Sequence, residues 1–283
     1  MPGVSHQPAK ASRTQKDNLT QLEYLLMFFD DEKSVIGEIR PIHVSQYLEW
    51  RNKYAIEKAK EKNPRAKVAI TTGQIAANRE KALFSHIWNK ARLWGYTDLA
   101  NPCQGIEGFQ EKGRDIYVDD AAFKAIWDEA DQPLRDALDL ALLTGQRPAD
   151  LLKMSETDIR DGAIWVQQNK TGTKLRISIA GELQLLLERI IARKQAHRVR
   201  SLRLLIDKDG TPMVASTLRS KFERARARAG QTWQFRDLRA KAATENDMSG
   251  GMDAAQDQLG HTTPSMTAKY VRNRAGKLVK PTR

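Results

Sequence analysis

Tyr270 stands nine residues after His261 in the run Leu259-Gly-His-Thr-Thr-Pro-Ser-Met-Thr-Ala-Lys-Tyr-Val-Arg272. A phenol is a poor nucleophile at neutral pH, because its pKa is about 10 and it stays protonated unless cations or hydrogen-bond donors stabilise the phenolate. The chain offers such cations at three separated places: Arg147 in Thr144-Gly-Gln-Arg-Pro-Ala-Asp150, Lys170 in Asn169-Lys-Thr-Gly-Thr-Lys174, and Arg239 in Phe235-Arg-Asp-Leu-Arg239. The chemistry these types support is attack on an anionic centre. A guanidinium can grip two non-bridging phosphate oxygens at once, and a lysine whose pKa is drawn toward neutrality can protonate a leaving oxygen.

Taken singly, each residue also has a plain structural reading. Arg147 follows the helix-ending Gly145 and precedes Pro148, so it sits where a new helix begins with its amide donors free, and it can equally pair with Asp150 on the surface. Lys170 falls at a hairpin tip, where lysines commonly serve as soluble turn residues, and Lys174 is a nearby rival for the same work. Arg236 and Arg239 are three apart and share a face of an expected helix, with Leu238 and Ala242 turned elsewhere. A lone His261 can be a cap, and a lone Tyr270 a half-buried aromatic.

Their joint occurrence in order changes the reading. The series TGxRxxDLL, NKTG, RDLR, LGH and TxxYxR resembles the active-site series of the tyrosine recombinase (phage integrase) family over roughly residues 119 to 275. The resemblance implies a site-specific recombinase that cuts and rejoins DNA through a 3′-phosphotyrosine intermediate, without metal, ATP or other cofactor. Tyr270 would be the nucleophile, Arg147 and Arg239 the phosphate-neutralising cations, Lys170 the general acid on the 5′ oxygen, and His261 a donor to the phosphate. One position departs from the pattern: the usual His-x-x-Arg is Arg236-Asp-Leu-Arg239 here, and arginine donates hydrogen bonds but cannot accept a proton. The implied partners are double-stranded DNA, a homotetramer assembled on it, and host or phage architectural or directionality factors. Residues 271 to 283 would contact a neighbouring protomer as a short exchange element. A dimer resolvase or a relative of type IB topoisomerases shares the same residues, and a non-catalytic DNA-binding protein on this fold is the rival that Arg236 raises.

The elements needed to position these groups follow from periodicity and turn chemistry. Residues 1–16 are polar and aperiodic and are expected to form a flexible basic arm. Residues 17–112 are expected to form a helical core-binding, DNA-binding domain. Its helices carry Leu22, Leu25, Leu26 and Phe29, then Val44 to Lys60, then a third helix capped by Thr72 with an apolar stripe of Ile75, Leu83, Ile87, Ala91 and Trp94. The opposite face of the third helix presents Arg79, Lys81, Lys90 and Arg92 as candidate DNA contacts, joined by Lys174 farther along. The Gly- and Pro-rich stretch from Asn101 to Arg114 suits a linker.

Residues 113–283 are expected to form the catalytic domain, so the fold class is mainly α with a small β-sheet. Asp119 or Asp120 can cap a helix carrying Phe123, Ile126 and Trp127, and Pro133 can begin another that ends at Gly145. Residues 163–168 and 175–179 read as a hairpin, and helices follow at about 182–196, 216–229, 235–247, 252–259 and 264–274.

Composition sets the outer bounds. With 47 Lys plus Arg against 35 Asp plus Glu, the net charge of +12 is the electrostatic footprint of a nucleic-acid binder, though charge alone decides nothing. One cysteine, Cys103, excludes an internal disulfide and any CxxC metal site, and the five histidines show no metal spacing. There is no GxxxxGK[ST] loop, no apolar run of the ~20 residues a membrane span needs, and no apolar signal segment at the start. The expected location is therefore cytoplasmic and nucleoid-associated, with no membrane partner.

Overall fold

Aromatic side chains clamp three helices together at the start of the chain: α1 (Ser12–Phe29), α2 (Pro41–Lys62) and α3 (Gln74–Leu93). The structure is a computed structural model that describes residues 11–30, 36–198 and 201–271. The chain divides into two compact units, Met1–Gly113 and Arg114–Arg283.

In the first unit Leu25, Tyr47 and Leu83 form a buried cluster against Phe28, Phe29, Trp50 and Phe84. Phe29 stacks on Phe84 with centroids 4.8 Å apart, within the range where offset ring pairs add to simple burial. Helix α1 starts at Ser12, inside the stretch expected to be an arm, and residues 1–10 of that arm lie outside the described residues. Helix α3 starts one residue after the position a Thr72 cap would give, because Gly73 is its N-cap at φ 86°. A Cβ on Gly73 would lie 2.4 Å from Ala55 Cβ, so the close approach of α2 and α3 requires glycine there.

The expected apolar stripe of α3 is also rotated. Leu83 and Ala91 are buried, but Ile75, Ile87 and Trp94 are exposed, and the inward face is Ala77, Glu80, Leu83, Trp88 and Ala91. The cause is an ion pair in a core position: Glu80 accepts from Tyr47 Oη at 2.7 Å and from Arg51 Nε at 3.1 Å. The stretch after α3 runs back along that helix. Asn101 Nδ2 donates to Ser85 and Asn89, and Asn78 exchanges two hydrogen bonds of 2.8 Å with the backbone of Phe109.

The second unit opens with α4 (Asp120–Asp128), capped by the Asp119 carboxylate, and α5 (Gln132–Thr144), capped by Asp131. Pro133 occupies the first turn of α5, where its missing N–H costs nothing. After the short α6 (Pro148–Leu151) come β1 (Ile159–Arg160), β2 (Ala163–Gln167) and β3 (Lys174–Ser178), an antiparallel sheet in the order β1-β2-β3. Two residues are too few to show a period, so the sequence alone does not predict β1. Ile164 and Val166 face the core, while Trp165 faces outward between the guanidiniums of Arg160 and Arg176, 4.3 and 5.5 Å from its ring.

Helices α7 (Gly181–Gln195), α8 (Ala215–Arg228), α9 (Leu238–Leu259) and α10 (Pro264–Ala268) complete the unit. The helix expected from residue 235 begins as a 3-10 turn, Phe235–Asp237, before α9. Gly251, at φ 81° and ψ 177°, breaks α9 in the gap between the helices expected at 235–247 and 252–259. Helix α10 stops at Ala268 rather than continuing to 274, and residues 272–283 lie outside the described residues. The fold is mostly helical with one three-stranded sheet. No described helix is long and apolar enough to cross a membrane.

Candidate active site

Three chain breaks bring the candidate residues together: the end of α5, the β2–β3 turn and the end of α9. Helix α5 closes at Gly145, whose φ of 63° lets its N–H return to Ala141 O at 3.0 Å. Arg147 is then the N-cap of α6, with Pro148 at the first helical position. Its Nη1 donates to Gln168 Oε1 at 2.9 Å and lies 3.9 Å from Asp150 Oδ2. Asp150 is buried and its Oδ1 accepts from Asn169 N at 2.8 Å, so the carboxylate fastens the hairpin more closely than it pairs with Arg147.

Arg239 sits in the first turn of α9 and is almost wholly buried. Its Nη1 donates to Gly145 O at 2.7 Å and its Nη2 to Leu259 O at 2.8 Å. These carbonyls belong to the ends of α5 and α9, where helical C=O groups lack intrahelical partners and the helix dipole favours a cation. Burial pulls the Arg239 pKa down to about 10, and the nearby Arg147 charge pulls the same way against the opposing influence of Tyr270 and Asp150. The guanidinium therefore stays charged at neutral pH.

Gly260, at φ 63°, ends α9 and turns His261 toward Arg239. The His261 Nε2 lies 3.1 Å from Arg239 Nη2, and Nδ1 lies 3.0 Å from Thr267 Oγ1. A guanidinium only donates, so Nε2 must accept and the proton of the neutral ring resides on Nδ1. Burial, with the Arg239 and Arg147 charges, lowers the His261 pKa to about 4 and keeps the ring neutral. Tyr270 is half-buried, its ring 5.2 Å from the His261 ring and 5.4 Å from the Arg239 guanidinium carbon.

The other expected residues are placed differently. Lys170 is exposed in the turn that Gly172, at φ 71°, closes by donating to Gln168 O at 2.8 Å. Lys174 is exposed at the start of β3, opposite Gln167. Arg236 is exposed in the 3-10 turn while Arg239 is buried in the first turn of α9, so the two do not share the face expected of them. In the first unit, Arg79 is exposed but bonded to Glu111 at 2.9 Å, and Lys81 donates to the Ile106 carbonyl. Lys90 is half-buried and Arg92 exposed.

Two glutamines that the motifs pass over complete the cluster. Gln168 is fully buried, and its Nε2 donates to Gln146 Oε1 at 2.8 Å and to Leu259 O at 2.9 Å. Gln146 Nε2 in turn donates to Thr144 O at 3.0 Å and Gln258 O at 2.9 Å. The sequence does carry a signal for Gln168: it continues the inward register of Ile164 and Val166, a polar residue where the strand period demands a buried one. Among the described residues no three His, Cys, Asp or Glu side chains converge as a metal site would require. The arrangement presents two guanidiniums, one half-buried imidazole and one phenol, a set suited to holding a tetrahedral anion beside a tyrosine hydroxyl.

The sequence model of the phage integrase family matches residues 117–277. The integrase of Escherichia phage HK022 is 33% identical over 144 residues, covering 48% of this chain and 40% of that protein. The integrase of Escherichia phage lambda is 30% identical over 146 residues, with the same two shares of 48% and 40%. The chain thus spans about two fifths of the length of these curated relatives. In fold it is similar to a lambda integrase tetramer bound to a Holliday junction, with a TM-score of 0.79 and 20% identity over 98% of this chain and 76% of that one. It is likewise similar to a lambda integrase dimer bound to a COC′ core site, with a TM-score of 0.77 and 20% identity over 97% of this chain and 75% of the other. With more than half of its length matched by the family model, the chain belongs to the phage integrase family.

Proposed function

We propose that the protein is a site-specific DNA recombinase of the integrase type, which cuts and rejoins DNA through a covalent 3′-phosphotyrosine. The observation that carries this reading is the packing of Tyr270 against His261 and Arg239, in a pocket where the buried guanidinium has no carboxylate partner within 4 Å among the described residues. The lambda integrase structures of the same fold hold DNA, one as a dimer on a core site and one as a tetramer on a Holliday junction. By that likeness this chain acts on duplex DNA as a tetramer, with the first unit as a second DNA-binding element and the reaction taking place on nucleoid DNA.

In this mechanism the Tyr270 oxygen attacks phosphorus, the bond to the 5′ oxygen breaks, and Lys170 delivers a proton to that oxygen. Arg147 and Arg239 neutralise the charge that accumulates on the non-bridging oxygens, already held in place before the reaction. The phenolic proton of Tyr270 passes to solvent water, since Arg236 has no lone pair and the one lone pair of neutral His261, on Nε2, already accepts from Arg239 Nη2. The phosphotyrosine preserves the energy of the broken phosphodiester, so rejoining to a new strand draws on no nucleotide hydrolysis.

The test uses a pool of nicked duplexes with a randomised core, in which the broken strand end diffuses away and traps any covalent adduct. Wild type should yield an adduct on a denaturing gel, and sequencing of the trapped DNA gives the site. Tyr270→Phe should bind the selected duplex within a few-fold of wild type and yield no adduct. An adduct that survives the Phe substitution would remove Tyr270 as nucleophile. A wild type that binds DNA without forming adduct would favour the non-catalytic reading.

A further inference from the structure

We infer that Gln168 is a positioning residue for the proposed cleavage reaction: its side-chain amide ties Arg147, the Lys170 hairpin and the end of α9 into one fixed arrangement. The inference rests on the recombinase reading of the site and adds a residue that lies outside the motif series of this sequence, one position before Asn169-Lys-Thr-Gly.

The amide of Gln168 is completely used. Gln168 is 1% exposed, and a primary amide has two N–H donors and two acceptor lone pairs. Its Nε2 donates to Gln146 Oε1 at 2.8 Å and Leu259 O at 2.9 Å, while Oε1 accepts from Arg147 Nη1 at 2.9 Å and Thr171 Oγ1 at 3.0 Å. All four capacities are filled, and the partners come from three separate segments. Gln146 and Arg147 lie between α5 and α6, Thr171 follows Lys170 in the turn, and Leu259 ends the helix that leads to His261.

The same carbonyl, Leu259 O, also accepts from Arg239 Nη2, so Gln168 and Arg239 share an anchor. The close approach this requires is built into the backbone. A Cβ on Gly260 would lie 3.2 Å from Gln168 Nε2, 3.1 Å from Leu175 Cδ1 and 3.2 Å from Thr173 Cγ2, and its φ of 63° disfavours any side chain as well. Gly260 therefore permits the end of α9 to rest on the hairpin, and Gln168 fastens it there.

Arg147 depends most directly on this tie. Its nearest carboxylate oxygen is 3.9 Å away, so the hydrogen bond to Gln168 is its shorter polar contact. A neutral amide suits the task, because it orients the guanidinium without cancelling the charge that a phosphate must meet. A carboxylate in its place would hold Arg147 tightly and compete with the substrate.

The test compares Gln168→Met, which keeps length but loses all four hydrogen bonds, with Gln168→Glu, which keeps the acceptor and adds charge. Each is assayed on the duplex selected above and on the same duplex with a methylphosphonate at the scissile position, where one charged oxygen is replaced by a methyl group. On the normal duplex both variants should keep DNA binding within a few-fold and lose on the order of 10²-fold in single-turnover adduct formation, as for a misplaced catalytic group. On the methylphosphonate, which places less demand on a guanidinium, the loss should shrink to under about 10-fold. Equal losses on both substrates would show general loosening of the fold and overturn the proposal, as would wild-type rates for both variants. Should Gln168→Met fail to fold by thermal melting, Gln168→Glu alone decides by the same comparison. If wild type itself forms no adduct, the recombinase reading fails and this role falls with it; active wild type with unaffected variants overturns only the role of Gln168.

Discussion

Arg51 and Arg239 are both buried arginines, 7% and 4% exposed, and the surroundings that the two units give them are opposite. Arg51 lies 3.8 Å over the Tyr24 ring and within 3.1 Å of the Glu80 carboxylate, which also accepts from Tyr47. Arg239 meets two backbone carbonyls and a neutral histidine, feels the like charge of Arg147, and leaves its Nε without a partner. Burying a cation is costly unless a counter-charge is buried with it. The first unit supplies that counter-charge from its own sequence. The second does not, and a buried cation left without an internal anion marks where an external one belongs.

If that contrast is right, removing Arg51 should cost more stability than removing Arg239, Arg236 or His261. Arg51→Met strands the Glu80 carboxylate in an aromatic core, and breaking a buried pair on one side typically costs about 3–5 kcal/mol. Urea unfolding followed by tryptophan fluorescence measures it. A loss below about 1 kcal/mol would mean that the Glu80 carboxylate finds another partner, and that the pair is not the closed unit its geometry describes.

Arg239→Met should show the reverse profile. No carboxylate is stranded, and the repulsion from Arg147 is relieved, so the stability cost is limited to hydrogen bonds worth about 0.5–1.5 kcal/mol each. Adduct formation should fall by about 10²–10³-fold, about 2.7–4 kcal/mol of transition-state stabilisation. A variant that unfolds as readily as Arg51→Met, or that still forms adduct at the wild-type rate, would erase the distinction between the two arginines.

The same contrast explains what can be read in the sequence. The helix–hairpin–helix order is legible because Gly145, the Asn-Lys-Thr-Gly-Thr turn and Gly260 punctuate it, and because Ile164 and Val166 alternate with outward residues. The candidate site is legible where charged or nucleophilic types recur in a fixed order. It is not legible at Gln146, whose amide carries no charge and whose partner Gln258 is distant in sequence, and at Gln168 the inward register marks a buried polar residue without revealing its partner Leu259. The face of α3 differs from expectation for a related reason. Counting apolar residues cannot anticipate that Glu80 takes a core position through Tyr47 and Arg51, turning Ile75, Ile87 and Trp94 outward.

Arg236 sharpens the comparison within three residues of Arg239, since its side chain is exposed and makes no hydrogen bond or ion pair among the described residues, only its backbone carbonyl accepting from Leu238 N–H. If it serves as a donor to the phosphate, Arg236→Ala should lose on the order of 10²-fold in single-turnover adduct formation, while Arg236→His, which keeps a donor, should retain most of the rate. An inactive wild type rescued by histidine would instead identify a degenerate site and sink the claim of a working recombinase.

The smallest effect expected is at His261, which senses the same unpaired positive charge. Unfolded, a histidine takes up its proton near pH 6.5; folded, burial and the Arg239 and Arg147 charges delay uptake until about pH 4. Between those values the unfolded chain binds more protons than the folded one, so stability rises with pH across that window. The contribution of His261 is therefore complete above about pH 6.5 and is lost as the pH falls toward 4. Urea unfolding at about pH 7, 6 and 5 should show a shallower acid loss in His261→Gln than in wild type. Adding Arg239→Met should raise the His261 pKa, because a hydrogen-bond donor to Nε2 and a nearby positive charge both disappear. The C2 proton of His261 followed by NMR reports this directly: no titration between about pH 8 and pH 5 in wild type, and a midpoint shifted upward in Arg239→Met. A wild-type midpoint near 6.5 would show that the site carries no excess positive field, and with it the contrast between Arg51 and Arg239 would fail.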